Sequence, residues 1–446
     1  MRVAVIGAGI VGVTTAYELA ADGHEVVVFE RRGSVAAETS FANAGLVAPG
    51  YVTPWAAPGM PGKVLRSLFS PHGAVRIRGN MELGAVRWLW KWWRACRLRT
   101  YRANRARMHR LALYSLDRLH TLTAHLQLDY ERTEGCLVLL RSDEDVTLAQ
   151  PTIASLEESG TRFELLDAER CRTVEPGLNP RTPLAGGIYL PDDEVGNCRQ
   201  FAHLLRLAAQ RHGVRFRFHT TVRRIVPGAT PQLTHRYAPP EATTLVSDPG
   251  GPNHAADTQP MPFEQVTENF DAVVVCAAMG APALLRPLGL KLPMQAVFGH
   301  SVTAPLRISD LYPEAGPRSG LMDERYKVAV SRLGTRVRVA GGAEIGGSAE
   351  HHASGAFETL YKVLHDWFPG VARMNQAQRW KGARPMLPDG PPVLGASGSD
   401  GIWLNLGHGS SGWALSCGSA RLLADEIAGR TPAIDVEGLG IERLRQ

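Results

Sequence analysis

A chain of 446 residues is too long for one compact core, and its 44% hydrophobic and 21% charged residues are typical of an ordinary globular protein. The formal net charge of +6 is spread along the chain without zinc-finger spacing, an RNA-binding signature or a basic tail, so we expect no nucleic-acid partner. The six scattered cysteines include no C-x-x-C pair and exclude a disulfide scaffold; we expect a reducing, cytoplasmic compartment and no metal site.

The first thirty residues predict a strand, a glycine turn, a helix, a second strand and an acid. The strand Val3–Ile6 leads into Gly7-Ala8-Gly9-Ile10-Val11-Gly12, and Glu30, followed by Arg31, ends the second strand. The glycines permit a tight turn and close approach to a pyrophosphate, the helix N-terminus offers N–H groups, and the acid accepts from a ribose hydroxyl. The motif predicts a dinucleotide site, although alone it does not separate NAD from FAD.

Residues 87–110 combine tryptophan with arginine and lysine and contain no acid. A basic, aromatic, amphipathic helix of this kind can lie on an anionic membrane surface. The alternative is a long helix whose aromatic side chains are core and whose arginines are solvated. No stretch of the chain reaches the roughly 20 apolar residues that a spanning helix needs.

Residues 227–269 are rich in proline, threonine and glycine, and we expect a flexible insertion there. The apolar run 270–276 then predicts a buried strand that ends in a turn holding Ala278 and Gly280. Such a strand commonly completes a nucleotide-binding sheet.

Two features near the C-terminus add a chemical expectation. Arg384 lies in a rigid proline-rich loop, which suits either a bidentate grip on a carboxylate or an ion pair with Asp389. A second glycine turn precedes the last helix, and its N–H groups would stabilise negative charge on a reduced flavin. This second turn favours FAD over NAD, unless it merely starts the helix. The turn and the first helical residue comprise Gly407, His408, Gly409, Ser410, Ser411, Gly412 and Trp413.

Several motifs together resemble the D-amino acid dehydrogenases of the glycine oxidase and D-amino acid oxidase superfamily, over nearly the whole chain. The most specific is Glu38-Thr39-Ser40-Phe41-Ala42-Asn43-Ala44-Gly45, continued by Pro49-Gly50-Tyr51 and Pro54-Trp55-Ala56-Ala57-Pro58-Gly59. The others are Arg384-Pro385 with Pro388-Asp389-Gly390, the second glycine turn, and residues 322–330. One departure is Asn197, where the family usually has aspartate, which bears on local structure.

The resemblance implies an FAD-dependent enzyme that deaminates D-amino acids by hydride transfer from Cα to flavin N5. It implies that Arg384 binds the substrate carboxylate and that Tyr326 lines the substrate pocket. It further implies cofactor contacts from the N-terminal turn, Glu30 and Arg31, from the second glycine turn, and from Thr39, Ser40, Asn43, Ala44, Gly45 and Val222. The implied electron acceptor is a quinone or another carrier, and peripheral contact of 87–110 with the inner membrane face would fit it.

The predicted fold is α/β, with a Rossmann-like, parallel-sheet FAD-binding domain interleaved with a second, mixed or antiparallel β-sheet substrate domain. The predicted FAD-binding parts are 1–60, 193–290 and 378–446, and the predicted substrate-domain parts are 61–192 and 291–377. Three alternatives stay open: an oxygen-using oxidase of amino acids or N-methyl amino acids, a catalytically silent flavin-binding subunit, and an NAD-binding protein.

Overall fold

The structure is a computed structural model that describes residues 1–67, 70, 72–78, 83–238, 265–308, 315–348 and 354–445. Its helices are α1 Ile10–Ala21, α2 Met60–Ser67, α3 Leu83–Ala95, α4 Leu98–Leu126, α5 Asp143–Glu158, α6 Ala168–Val174, α7 Cys198–Arg211, α8 Ala281–Leu285, α9 Ser354–Trp367 and α10 Gly412–Ile427. Its strands are β1 Arg2–Ile6, β2 Glu25–Phe29, β3 Leu46–Val47, β4 Val75–Arg78, β5 Thr133–Leu140, β6 Glu164–Asp167, β7 Gly186–Val195, β8 Arg215–Arg217, β9 Thr220–Val226, β10 Gln232–Tyr237, β11 Gln265–Asn269, β12 Ala272–Val275, β13 Gln295–Pro305, β14 Gly320–Asp323, β15 Val328–Leu333, β16 Arg336–Gly346, β17 Gln378–Met386, β18 Val393–Ala396 and β19 Ile402–Leu406.

A six-stranded sheet in the order β18-β19-β12-β1-β2-β8 forms the nucleotide-binding part. All its neighbours run parallel except the edge strand β18. The two central strands carry continuous apolar runs, which is typical of parallel strands covered on both faces. One face packs on α1, α7 and α10 together with the inner side of α4. This confirms the predicted parallel sheet and places β12 beside the N-terminal strand, with β19 next to β12.

A ten-stranded mixed sheet forms the second part, with the main order β17-β13-β16-β15-β14-β5-β7-β3 and with β4 and β6 attached at its sides. Residues along each strand alternate between two faces. One face, which includes Val302, Val330 and Val339, packs on α9. The opposite face turns toward residues 39–45, because Ser331 donates to the Ala44 carbonyl and Arg338 donates to the Asn43 carbonyl. The fold class is therefore as predicted.

The prediction of a flexible insertion over 227–269 is wrong at both ends. β10 and β11 pair with each other and with β9 as a three-stranded antiparallel sheet. Residues 239–264 lie outside the described part of the chain. These strands have mostly polar side chains because one face of the small sheet is solvated. A polar composition of this kind is also typical of loops, which explains the prediction.

Two elements also lie differently from the predicted domain bounds. β17, which we assigned to the FAD-binding part from residue 378, pairs with β13 in the ten-stranded sheet. α4, assigned to the substrate part, packs its Leu111 and Leu119 against the nucleotide-binding core. Strand pairing and helix packing depend on contacts between distant residues, so domain bounds drawn along the sequence do not predict them.

Asn197 has the local structural role expected of it. Its side-chain oxygen accepts from the Gln200 N–H at 3.2 Å and caps α7, while its amide nitrogen donates to Glu131 at 2.7 Å. A carboxylate at this position could not make the second bond. No helix in the described ranges is both long and apolar enough to cross a membrane.

Asp193 makes the stability of the fold dependent on pH. Its carboxylate is buried, accepts from the Gly50 N–H at 3.2 Å, and leaves Oδ2 without a protein partner. Burial, reinforced by Asp192 and Glu194, raises the pKa of Asp193 to about 7. A carboxyl whose folded pKa is raised stabilises the fold below its unfolded pKa of about 3.9, and that contribution is lost as the pH rises to about 7.

We expect Asp193→Asn to be more stable than the parent protein at pH 8 by about 2–4 kcal/mol and nearly equal to it at pH 4, because the amide has no charge to bury. Urea unfolding at both pH values measures the difference. Glu164→Gln, which removes an exposed carboxylate in a surface ion pair with Arg170, is the control. An equal gain at both pH values would contradict the titration of Asp193.

Candidate active site

The N-terminal glycine turn has the geometry of a phosphate-binding loop. Gly7 has φ +102°, a region that side chains rarely enter, and Gly9 is the N-cap of α1. A Cβ on Gly12 would overlap the Gly7 carbonyl oxygen and lie 2.9 Å from its carbon. α1 therefore packs directly on the turn, and its N-terminus begins just after the carboxyl end of β1.

Glu30 lies beside this turn, as predicted. Its two carboxylate oxygens accept from the backbone N–H groups of Ala8 and Arg32, each at 2.7 Å. Each oxygen keeps a further lone pair for a ribose hydroxyl. Burial raises the pKa of Glu30, and the two backbone hydrogen bonds oppose that rise. Arg31 instead pairs with Glu38 at 2.6 Å, so its charge is balanced within the protein.

Residues 39–45 connect the turn to the large sheet. The Ile10 N–H donates to the Ser40 hydroxyl at 3.1 Å, and the Thr39 hydroxyl donates to the Ala383 carbonyl at 2.6 Å. Asn43 accepts from the Gly45 N–H, and Gly45 itself has φ +82°. The segment thus runs from the first glycine turn to the residue before Arg384.

The second glycine turn also lies close to β17, the strand that holds Arg384. Gly407 and Gly409 have φ +77° and +58°, and His408 forms an antiparallel bridge with Met386. Because the Ser419 hydroxyl donates to a backbone carbonyl, it accepts from His408 Nε2 at 3.0 Å. Burial lowers the pKa of His408 to about 3, so the imidazole is neutral and anchors the turn. α10 begins directly afterwards, following the turn Gly409–Ser411.

The remaining predicted cofactor residues are less uniform. Val222 lies on β9 and packs on the outer side of β2. Ala278 and Gly280 form a turn after β12, at the same sheet end as the glycine loop, with Ala278 at φ +44°. Trp413 is only 4% exposed, and its ring packs on Tyr130 and Phe201. The Trp413 ring is therefore part of the core, and its backbone alone belongs to the turn.

Arg384 crosses the face of the large sheet. It leaves β17, passes over Gly299 on β13, and donates from Nη1 to the Gly342 carbonyl on β16 at 2.7 Å. A Cβ on Gly299 would lie 2.6 Å from the guanidinium carbon, so only glycine leaves this passage open. Gly299 faces away from α9, since Val302 faces α9 and is three residues further along the strand.

No carboxylate in the described part of the chain lies within ion-pair distance of Arg384. Desolvation by the surrounding protein lowers the pKa of Arg384 to about 10, which leaves the group charged at neutral pH. Withdrawing a cation from water without a counter-ion is costly, and an anionic ligand is the usual compensation. The alternative, an ion pair with Asp389, does not form, because Asp389 pairs with Arg443 at 2.8 Å.

Sequence reasoning missed the residues that shape the surroundings of Arg384. Gly299 and Gly382 are register partners on β13 and β17, and the Trp380 ring lies on Gly382 as the guanidinium lies on Gly299. Glycine in a strand interior often marks a close approach of another group, so these two positions carried a usable signal.

The structure does not bring Tyr326, which the resemblance assigned to the substrate pocket, to Arg384. Tyr326 packs on the α9 side of the sheet, with Lys362 of α9 5.5 Å and Arg141 4.9 Å from its ring centroid. Arg384 lies on the other face. The turn between β14 and β15 decides which face Tyr326 reaches, and this choice is not visible in the motif.

Gly299→Ala is expected to weaken carboxylate binding while cofactor binding persists. The added methyl would push the guanidinium off Gly299 and break its bond to Gly342, so the KM of a carboxylate substrate should rise about tenfold or more. Steady-state kinetics and flavin content measure the two effects. Gly62→Ala is the control, because a Cβ there meets nothing within 4 Å. An unchanged KM with a normal flavin content would contradict the passage described for Arg384.

The arrangement matches known proteins along its full length. The sequence model of a family described as FAD dependent oxidoreductase matches residues 2–426. A D-amino acid dehydrogenase of Cereibacter sphaeroides is 44% identical over 445 residues, covering 99% of this chain and 95% of that protein. One of Rhizorhabdus wittichii is 41% identical, with 99% and 100% covered.

Solved structures show the same fold. A glycine oxidase from Geobacillus kaustophilus superposes with a TM-score of 0.72 at 20% identity, covering 99% of this chain and 98% of that one. An L-proline dehydrogenase from P. horikoshii gives a TM-score of 0.69 at 16% identity, with 100% and 97% covered. The chain belongs to the FAD dependent oxidoreductase family. It is thus an FAD-dependent oxidoreductase, as the two glycine turns predicted.

Proposed function

We propose that this protein is a D-amino acid dehydrogenase, which converts D-amino acids to 2-oxo acids and ammonia with an acceptor other than oxygen. The observation that carries the proposal is Arg384, a part-buried cation held over Gly299 with no carboxylate partner among the residues that the structure describes. The relatives named D-amino acid dehydrogenase support the substrate class and its handedness.

The residues present fit FAD. The turn Gly7–Gly12 would let a pyrophosphate approach its backbone because Gly9 has no side chain, and Glu30 would hold the ribose. Residues 39–45 would line the cofactor between the first glycine turn and the large sheet. The turn Gly407–Gly412 and the N-terminus of α10 would contact the flavin ring and stabilise negative charge on it. When bound, FAD supplies the hydride acceptor.

The chain itself performs binding and orientation. Arg384 would receive the substrate carboxylate in a bidentate pair and thereby fix the position of Cα. The side chains beside it on this face, Val297, Ser301 and Trp380, include no carboxylate that would stabilise an ammonium. The amine would have to lose its proton before hydride leaves Cα, because its lone pair forms the C=N bond of the imine. Water then hydrolyses the resulting imine.

The direct test supplies the FAD-loaded enzyme with a soluble quinone and either enantiomer of an amino acid. We expect 2-oxo acid and ammonia in equal amounts from the D-form and none from the L-form, with little hydrogen peroxide under air. Hydrogen peroxide formed in the same amount as the 2-oxo acid would show that the enzyme is an oxidase and not a dehydrogenase. Product from N-methyl amino acids alone would change the substrate class.

We further propose that electrons pass to a membrane quinone and that 87–110 makes peripheral membrane contact, as α3 is suited to do. Trp88 and Trp92 are buried against the sheet, whereas Trp90 and Trp93 are 53% and 57% exposed. The basic side chains of Arg87, Arg94 and Arg97 accompany the exposed pair. Exposed indoles among cations fit the interfacial region of an anionic bilayer.

The purified protein is expected to co-sediment with vesicles that contain anionic lipid at low salt. Replacing Arg87 and Arg94 by glutamate should weaken vesicle binding by tenfold or more. Each cation removed costs about 1 kcal/mol of binding free energy, and each new carboxylate is repelled by the anionic lipid. Leu207→Ser, at an equally exposed apolar position on α7, is the control. Equal binding of parent and reversed protein would remove α3 from the proposal.

A further inference from the structure

Two glycines that pair with each other on the large sheet are each covered by the side chain of another residue. Gly299 and Gly382 face each other across β13 and β17, so their Cβ positions would lie about 5 Å apart on one face. The Arg384 guanidinium occupies the space above Gly299. The outer edge of the Trp380 indole occupies the space above Gly382, where a Cβ would lie 2.8 Å from ring carbon Cζ3. Indole and guanidinium therefore stand side by side.

The indole is held in this place by the strand itself. Trp380 pairs with Ser301, points to the same face as Arg384, and extends along β17 toward it. The ring is part-buried, and its outer edge lies over Gly382, the register partner of the glycine that the guanidinium covers. On the other flank Val297 belongs to an apolar cluster with Trp88, Trp92 and Met386. Both flanks of the cation are thus apolar.

We propose that Trp380 determines substrate specificity: its indole forms a wall beside the Arg384 carboxylate site and contacts the side chain of the amino acid. This rests on the proposed function. A substrate whose carboxylate lies on the guanidinium has its Cα substituent within reach of a flank, and either flank offers apolar surface. The substrate class that fits is amino acids with large apolar or aromatic side chains. Acidic side chains would lose hydration there without gaining a partner.

The test measures kcat/KM of the FAD-loaded enzyme for D-phenylalanine and D-alanine with a soluble acceptor. Trp380→Ala is expected to lower the value for D-phenylalanine by about 10–100-fold and that for D-alanine by about threefold or less, since a lost apolar contact has this size. Trp380→Phe should restore most of the preference. Trp403→Phe, a part-buried tryptophan in the nucleotide-binding core, is the control.

A second variant keeps the indole and moves it. Gly382→Ala would place a methyl group where the ring lies, and all three nearest atoms to that methyl belong to Trp380. It should reproduce the change in preference even if Trp380→Ala folds poorly. A binding readout without turnover is perturbation of the flavin spectrum by benzoate and by acetate, and both variants should weaken benzoate selectively.

The outcomes separate the two proposals. Parent enzyme that is reduced by no D-amino acid removes the proposed function and this inference with it. Parent enzyme that turns over D-amino acids, combined with variants whose phenylalanine-to-alanine ratio and benzoate affinity are unchanged, overturns the role of Trp380 alone. Equal losses for both substrates would make Trp380 a structural support of Arg384 and would also overturn the inference.

Discussion

Replacing Arg384 by alanine is expected to lower kcat/KM for D-amino acids by about thirtyfold or more while the protein keeps its FAD. The substrate carboxylate would lose the cation that binds it, and truncating one partner of a desolvated charge pair costs about 2–5 kcal/mol. Arg384→Lys should recover little, because lysine has the charge but not the planar fork that spans Gly299 and reaches the Gly342 carbonyl.

Steady-state kinetics and the ratio of flavin to protein absorbance check this result. Arg379→Ala is the matched control, since Arg379 lies on the same strand but is exposed and bonds to Tyr361. An Arg384→Ala protein that loses FAD would mean that the guanidinium supports the cofactor. One that retains full kcat/KM would remove the carboxylate role.

Replacing Gly12 by valine is expected to produce a folded protein that is almost free of FAD. Any Cβ at this position overlaps the Gly7 carbonyl, so the turn must open and the first N–H groups of α1 move away from the pyrophosphate. The flavin-to-protein absorbance ratio after purification should fall to about a tenth or less of the parent value. Circular dichroism should stay close to that of the parent.

Gly12→Ala is expected to show the same effect to a smaller degree, because its single methyl still overlaps the carbonyl. Gly62→Ala, in a helix where a Cβ has open space, should retain full flavin and serves as the control. Full FAD content in Gly12→Val would contradict the assignment of Gly7–Gly12 as the pyrophosphate loop.

The parts of the site that could be predicted are those encoded in short, contiguous patterns. The strand, turn, helix and acid of residues 3–30 are all local, and so is the glycine pattern before α10. The hydrogen bonds of Ser40 and Thr39 connect the first turn to the residue before Arg384, and the bridge between His408 and Met386 connects the second turn to β17. Glycine spacing was informative because backbone approach, rather than packing, fixes those positions.

The parts that failed depend on pairing between distant strands. Tyr326 lies on the face of the large sheet opposite Arg384, because the turn between β14 and β15, rather than the motif, determines which face its side chain reaches. β10 and β11 looked like loop because their outer face is solvated. Gly299 acquires its meaning only through its register with Gly382 on another strand, which no local window of the sequence contains.

The central claim is that FAD in this protein accepts hydride from D-amino acids whose carboxylate lies on Arg384. The most direct test is an anaerobic absorbance titration of the FAD-loaded protein with each enantiomer of an apolar amino acid. The proposal predicts that the flavin bands bleach with the D-form and persist with the L-form, and that Arg384→Ala shifts the bleaching to far higher concentration. Bands that persist with every D-amino acid while FAD stays bound would contradict it and favour a catalytically silent flavin-binding subunit.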